Sequence, residues 1–416
     1  MRILLVYPPI YRSANVYSAT LPLGLLQVAG YLRSIGNHVQ VLNLDLGGNI
    51  QTTSINAIRN AYAINNPFEY VSWNDSPYRV QFREELRKFK PDIVGFSSNT
   101  EAVDAISFLE NDIEDIAPGI RTEHGGIDCN KSEWSLAVTK ESLFFDPALD
   151  LLHGQNPSGS FGAVMTSIGC PYDCIFCGSP HAYSRKLVEL PIETAEKRVR
   201  DSIAMGANRI EFMDDTFTIN KGRAQKIAMF MDMIGIPWKC NTRIDALLKH
   251  PDLVKYFKEH GCTQVSFGVE SGSPRVLEFI KKRIVPNDVL RVVELLNTYD
   301  LAWSGNFMIG FPGETDDDVY ESMSLIEKMK PTRIAGYSVV PYPKTELHFN
   351  FPGFVQEASV WPFCRWSPFD PQFLCYPNGD RIQGPSAKAV SSFYELIEKI
   401  NDHEPTQGTF SVVSES

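Results

Sequence analysis

The sequence predicts an α/β chain with a shortened doubly wound parallel sheet first, a (β/α)6 partial barrel second and a C-terminal extension third. Three observations predict it. Short apolar runs alternate with helix-length amphipathic segments over the first 130 residues or so. The same alternation then repeats six times between Phe161 and Tyr342. Neither series is interrupted by strands alone or helices alone, and that pattern calls for βαβ crossovers and parallel strands. The expected boundaries are 1–147, 148–345 and 346–416.

The elements follow in order. Ile3–Tyr7 reads as a buried strand, Leu23–Ser34 as a helix stopped by Gly36, and His38–Leu44 as a second strand. Pro91–Ser97 is a third strand, Glu101–Ile116 a helix, and a short fourth strand runs into His124-Gly125-Gly126. The carboxyl edge of this sheet, where ligands of doubly wound sheets bind, carries Tyr7-Pro8-Pro9, Asp45–Gly48, Ser97–Thr100 and Gly125-Gly126. Those glycines and hydroxyls suit either a ligand or ordinary βα turns. In the second part the strands are Ala163–Ile168, Arg209–Met213, Trp238–Asn241, Gln264–Val269, Ser304–Ile309 and Ile334–Val340. Helices are expected near Ile192–Met205, Gly222–Ile234, Pro251–His260, Pro274–Lys282, Asn287–Leu296 and Thr315–Met329. Val289, Val292, Val293 and Leu296 fall on one helical face, the one to be buried against a sheet. Chemistry belongs at the strand C-termini of such a barrel. A last helix is expected over Ala387–Ile400, followed by a polar, fraying tail.

Composition narrows the function. Apolar residues make up 43% and charged residues 21% of the 416, the balance of a soluble globular enzyme. With 39 Lys+Arg against 50 Asp+Glu the net charge is −11 and no basic run stands out, which disfavours nucleic acid as a partner. No apolar run reaches the roughly 18–20 residues of a membrane span, and Met1–Pro9 lacks the h-region and cleavage site of a signal peptide. The expected compartment is the cytoplasm. Eight cysteines are too sparse for a disulfide framework, yet three of them fall together in Gly169-Cys170-Pro171-Tyr172-Asp173-Cys174-Ile175-Phe176-Cys177-Gly178. Three thiolates so spaced can wrap a cubane and leave one iron without a protein ligand. The competing readings are structural zinc, which would need a fourth ligand such as His181, and inert buried thiols.

The Cys-x3-Cys-x2-Cys run resembles that of the radical S-adenosylmethionine enzymes, in the subgroup with an N-terminal cobalamin-binding-like, Rossmann-like domain. The resemblance covers roughly residues 1–345 and is firmest over 161–345. It implies a [4Fe–4S] cluster on Cys170, Cys174 and Cys177, with S-adenosylmethionine chelating the open iron and cleaved to a 5′-deoxyadenosyl radical. It also implies an external electron donor such as flavodoxin or ferredoxin. By the same resemblance Phe176 packs near the adenine, and Asp214 and Asp215 accept from the methionine ammonium. Arg243 meets the methionine carboxylate, Glu270 lies on the ribose or sulfonium side, and Ile309-Gly310 runs its backbone along the adenine. Pro341-Tyr342-Pro343-Lys344-Thr345 resembles the family's Pro-x-Pro-Gly-Thr segment with Lys344 in place of glycine.

Two departures bear on cofactor and reaction. The Pro8–Tyr17 loop has no Asp-x-His-x-x-Gly motif, and Ile127–Pro147 shows neither a fifth strand nor a Gly-Glu-Gly-Glu pattern, so cobalamin stays an open cofactor. After the barrel, Cys364 and Cys375 lie among aromatics; each is either a small buried hydrophobe or a thiol that returns hydrogen to a carbon radical. The second option leads to an expectation loosely similar to proteusin-type epimerases: L-to-D inversion of residues in a precursor peptide. The alternative is a cobalamin-dependent C-methyltransferase, and outside enzymes a metal-knuckle binding module.

Overall fold

The computed structural model describes residues 1–9, 22–45, 76–97, 103–125, 145–152, 162–179, 185–339, 341–342, 344–351 and 384–401. They fall in two compact units, the first within Met1–Ser158 and the second comprising Gly159–Gln356 with the C-terminal helix.

The first unit is a four-stranded parallel sheet built from β1 (Arg2–Tyr7), β2 (His38–Asn43), β3 (Ile93–Ser97) and β4 (Arg121–Gly125), in the order β2-β1-β3-β4. The central strand β1 reads Ile-Leu-Leu-Val without alternation because both of its faces are covered. Helix α1 (Leu23–Ser34) covers one face through Leu25, Leu26, Ala29 and Leu32. The other face meets α2 (Pro77–Phe89) and α3 (Val103–Ile116) through Tyr78, Phe82, Leu86, Ile106 and Leu109. Sequence reading missed α2, although Pro77 at its first turn and the i, i+4, i+8 spacing of Tyr78, Phe82 and Leu86 mark it. Inside this unit Arg79 and Arg83 both pair with the buried Asp112, tying α2 to α3.

The second unit is a six-stranded, all-parallel sheet of β5 (Gly162–Val164), β8 (Ile210–Phe212), β9 (Trp238–Thr242), β10 (Cys262–Glu270), β11 (Ala302–Ile309) and β12 (Ile334–Ser338). Each strand pairs with the next in this series, and β5 and β12 form its two edges, so the sheet is a partial barrel and not a closed one. One strand expectation fails. Ala163–Ile168 is not continuous: β5 stops at Val164, and β6 (Ser167–Ile168) turns away to pair antiparallel with β7 (Val188–Glu189). The cause is the Asp214 carboxylate, which draws the Thr166 N–H and the Thr166 and Ser167 hydroxyls out of the strand.

Helices α4 (Ile192–Ala204), α5 (Lys221–Ile234), α6 (Ile244–Lys249), α7 (Asp252–Glu259), α8 (Pro274–Phe279), α9 (Pro286–Thr298) and α10 (Asp316–Met329) connect the strands. Their ends follow local chemistry: Asn220 caps α5 through the Arg223 N–H and Gly235 ends it in the left-handed region. The predicted face of α9 is buried at all four positions. The core centres on Phe212, Phe217, Trp238 and Phe257, with Phe212 and Phe217 stacked at 4.8 Å and the Trp238 indole N–H donating to the His260 carbonyl. A short helix α11 (Glu346–Asn350) follows the last strand, and α12 (Ala387–Asn401) packs Val390, Phe393, Tyr394 and Ile397 into the same core. Gly336 on β12 admits α12: a Cβ there would lie 2.2 Å from Ile397 Cδ1 and 3.0 Å from Phe393. Tyr394 meets the Ser338 hydroxyl at 3.0 Å, and the Asn401 amide bonds both backbone groups of Ile334. No helix among the described residues is long and apolar enough to cross a membrane.

Candidate active site

The cysteine loop leaves β6 through Gly169, whose φ of +89° lies where a side chain would be strained. Cys170 and Cys174 are buried and Cys177 half-buried, all as free thiols. Burial pushes the Cys177 thiol up to about 12 and raises Cys170, and Asp215 and the neighbouring cysteines add to both. Taking up a metal centre therefore means displacing thiol protons. Among the described residues no three His, Cys, Asp or Glu side chains converge on one ion-sized point. A cubane asks for something else: each thiolate takes a different iron, and the donor set of three soft sulfurs within one short loop suits it. His181 lies outside the described residues.

The loop is pinned at its middle. Ile175 donates its N–H to the Ile280 carbonyl (3.2 Å) and accepts from the Leu347 N–H (2.9 Å). Residues 280–283, just past α8, lie along it. The Cys174 thiol faces the Lys281 carbonyl at 3.9 Å, and Arg283 pairs with Asp173 at 2.7 Å. Lys281 (φ +57°) and Arg283 (φ +61°) are both left-handed, flanking a buried Lys282. The Lys282 ammonium reaches back to Glu270 at the end of β10, 2.7 Å away, and this ion pair is almost fully buried. Glu270 itself sits at φ +71°, a conformation that a non-glycine residue keeps only when its surroundings impose it. The pair also explains Gly268, where a Cβ would fall 1.9 Å from Glu270 Oε1 and 2.8 Å from Lys282 Nζ.

The other expected site residues divide. Asp214 is 1% exposed and its two oxygens are taken by Thr166 and Ser167, each at 2.6 Å, so it holds strands together; burial raises its pKa despite those donors. Asp215 next to it is exposed, accepts from the Ser179 hydroxyl at 2.6 Å, and lies close enough to Cys170 and Cys177 to act on both. Arg243 is buried with its guanidinium 3.6 Å over the Tyr172 ring. Its Nε and one terminal nitrogen bond Asp245, that same nitrogen bonds the Lys282 carbonyl at 2.8 Å, and the other reaches Cys174 Sγ at 3.6 Å. With four N–H groups engaged and Tyr172 against the guanidinium, a two-pronged grip on a carboxylate is not available to Arg243 in this arrangement. Phe176 meets Phe311 at 5.8 Å between ring centres, which brings the cysteine loop to the end of β11. There the Ile309 carbonyl accepts from the Val339 N–H. Gly310, at φ +96°, and Phe311 donate their N–H groups to Glu314.

Glu314 was not foreseen from the sequence, nor were Lys282 and Tyr172. Glu314 is 3% exposed, and burial pushes its carboxyl up to about 8 against the two N–H donors. Lys344 takes φ +69°, the left-handed turn for which the related motif uses glycine. Cys364 and Cys375 lie outside the described residues.

Residues 164–326 match the family model described as the Radical SAM superfamily. An uncharacterized methyltransferase, PH0819, from Pyrococcus horikoshii is 33% identical over 256 residues, 58% of this chain and 54% of its own length. The chain spans about half the length, or less, of the first curated relatives it matches. Among solved structures, the radical S-adenosylmethionine methyltransferase TsrM from Kitasatospora setae, with cobalamin and a [4Fe–4S] cluster bound, superposes with a TM-score of 0.63 at 14% identity. That match covers 95% of this chain and 91% of TsrM. The cobalamin-dependent S-adenosylmethionine radical enzyme OxsB gives 0.56 at 16% identity over 84% of this chain and 54% of its own. At these identities the likeness is one of fold.

Proposed function

We propose, from the premise that residues 164–326 form a radical SAM domain, that the chain is a radical S-adenosylmethionine enzyme acting as a cobalamin-dependent C-methyltransferase. The observation that carries the reaction is the pairing of a four-stranded doubly wound unit with the partial barrel. That combination spans nearly the whole chain in its match to TsrM, a methyltransferase solved with cobalamin and the cluster. The 33% identity to a methyltransferase supports it further. The expected peptide epimerisation draws no support from these relatives, and Cys364 and Cys375, the residues it rests on, lie outside the described residues.

When bound, the cluster and S-adenosylmethionine would supply an electron and a hydrogen-abstracting radical, and cobalamin a methyl group. The chain's own residues would do the holding. Cys170, Cys174 and Cys177 each take one iron. Asp215, open where Asp214 is closed, offers its carboxylate to the methionine ammonium. Phe176 and Phe311 form an aromatic wall for the adenine. In the first unit Gln27 and Ser76 each bury a side-chain polar atom with no hydrogen-bond partner among the described residues. They sit one turn into α1 and at the start of α2, the helix ends that face the carboxyl edge of a doubly wound sheet. Orphaned polar atoms at that edge suit a ligand that supplies their partners.

The test is anaerobic reconstitution with iron and sulfide, loading with hydroxocobalamin, and gel filtration. A methyltransferase retains visible corrinoid absorbance and cleaves S-adenosylmethionine to 5′-deoxyadenosine under dithionite. Cleavage is lost in Cys174→Ala. Cleavage without retained corrinoid would turn the assignment back toward hydrogen return by a thiol, and no cleavage at all would refute radical chemistry.

A further inference from the structure

Arg243 is built into the wall of the cysteine loop rather than left open toward a substrate. Asp245 grips two of its nitrogens (2.9 and 3.3 Å), the Lys282 carbonyl takes another N–H at 2.8 Å, and the Tyr172 ring lies flat beneath it at 3.6 Å. Thus fixed, it directs its other terminal nitrogen at Cys174 Sγ, 3.6 Å away. Its side chain is only 7% exposed. Cys170 and Cys177 accept no hydrogen bond from a cation among the described residues: Asp215 acts on both by charge, and the Arg243 charge reaches Cys170 as well, but its N–H is aimed at Cys174 alone. The three thiols are thus not equivalent, and one carries a cation locked in place.

We propose that Arg243 is a positioning residue of the cluster, donating an N–H···S hydrogen bond to Cys174 and raising the reduction potential of the [4Fe–4S] centre bound there. The inference rests on the cluster reading above and adds to it the residue that sets how readily the cluster takes its electron. A reduced cluster carries one more negative charge than an oxidised one. A hydrogen bond and a fixed positive charge at a ligand sulfur stabilise the reduced form preferentially. Tyr172 and Asp245 are the means: without the fork and the stacked ring, a long flexible side chain would not hold one N–H on one sulfur.

The experiment compares wild-type, Arg243→Gln, Arg243→Lys, Asp245→Asn and Arg283→Gln proteins, each reconstituted anaerobically. The readouts are iron and sulfide per chain, and the EPR-detected reduced fraction at a fixed poise, without S-adenosylmethionine. Arg283→Gln is the control: it removes the same charge from the same neighbourhood, where Arg283 pairs with Asp173 and touches no sulfur. In Arg243→Gln the ratio of reduced to oxidised cluster should fall about tenfold, which for a one-electron couple is about 59 mV. Arg243→Lys and Asp245→Asn should fall less, and Arg283→Gln less than twofold. Unchanged ratios in cluster-loaded Arg243 variants, or an equal fall in Arg283→Gln, would overturn the proposal. So would loss of iron from all three Arg243 and Asp245 variants, which would make the side chain a folding residue. A wild-type chain that takes up no iron and sulfide would instead defeat the cluster reading itself, and this inference with it.

Discussion

Replacing Glu314 by Gln should remove a loss of stability that the wild-type protein suffers as pH rises. The Glu314 carboxyl is buried against the Gly310 and Phe311 N–H groups, with Asp318 pushing its pKa up further and Arg275 pulling it down, and burial dominates. Its folded-state pKa of about 8 stands above the ordinary 4.5. Below about pH 4.5 both folded and unfolded chains carry the proton and nothing is lost. As pH rises from there, the unfolded chain releases its proton while the folded chain keeps it, so the folded state loses ground until about pH 8, where the loss levels off. A tenfold difference in proton affinity is worth about 1.4 kcal/mol, so the ceiling over this window is about 5 kcal/mol. Gln keeps an acceptor for the two N–H groups and never ionises. Urea unfolding of wild-type and Glu314→Gln proteins should therefore give similar free energies near pH 5 and a widening advantage for the variant toward pH 8. Titratable groups elsewhere cancel in the difference. A difference that does not change with pH, or one in which the wild type gains as pH rises, would show that the carboxylate is charged in the fold and that the reasoning is wrong.

Three further outcomes are expected. Glu270→Gln should cost about 3–5 kcal/mol in urea unfolding because it strands a buried ammonium. The double variant with Lys282→Met should recover part of that loss, and two additive effects would argue against a coupled pair. Lys344→Gly should stabilise by about 0.5–1 kcal/mol by relieving a left-handed side chain, measured as a raised urea midpoint at unchanged slope. Gly336→Ala should destabilise by about 1–3 kcal/mol, because its methyl would overlap Ile397 and Phe393. Thermal melts that match the wild type would show that α12 shifts freely to make room.

Most of the architecture was legible because hydrophobic periodicity is a local signal. All four strands of the first sheet, and the α9 face of Val289, Val292, Val293 and Leu296, lie where period and spacing put them. Helix α2 was missed although its own spacing marks it, whereas the broken first barrel strand has a distant cause. Met165–Ser167 looks like strand, and only Asp214, nearly fifty positions later, pulls it out of the sheet. The cysteine spacing announces a metal centre on its own. Lys282 and Glu314 gave no such warning, because a buried ion pair or a buried acid becomes visible only after the fold has removed its water. Arg243 was noticed through its family resemblance, but its surroundings turn on Asp245, Tyr172 and the Lys282 carbonyl, whose convergence no linear motif encodes.

The C-terminal helix has a consequence for how the protein is made. A ribosome releases the thiol-bearing loop first, while the segment that seals β12 with Phe393, Tyr394 and Ile397 emerges only after the whole barrel has been made. Until then the nascent barrel shows a greasy flank around Gly336, an invitation to sticking between chains on the same polysome. Iron delivered before that moment would meet a half-finished container, so loading the metal belongs after α12 has docked.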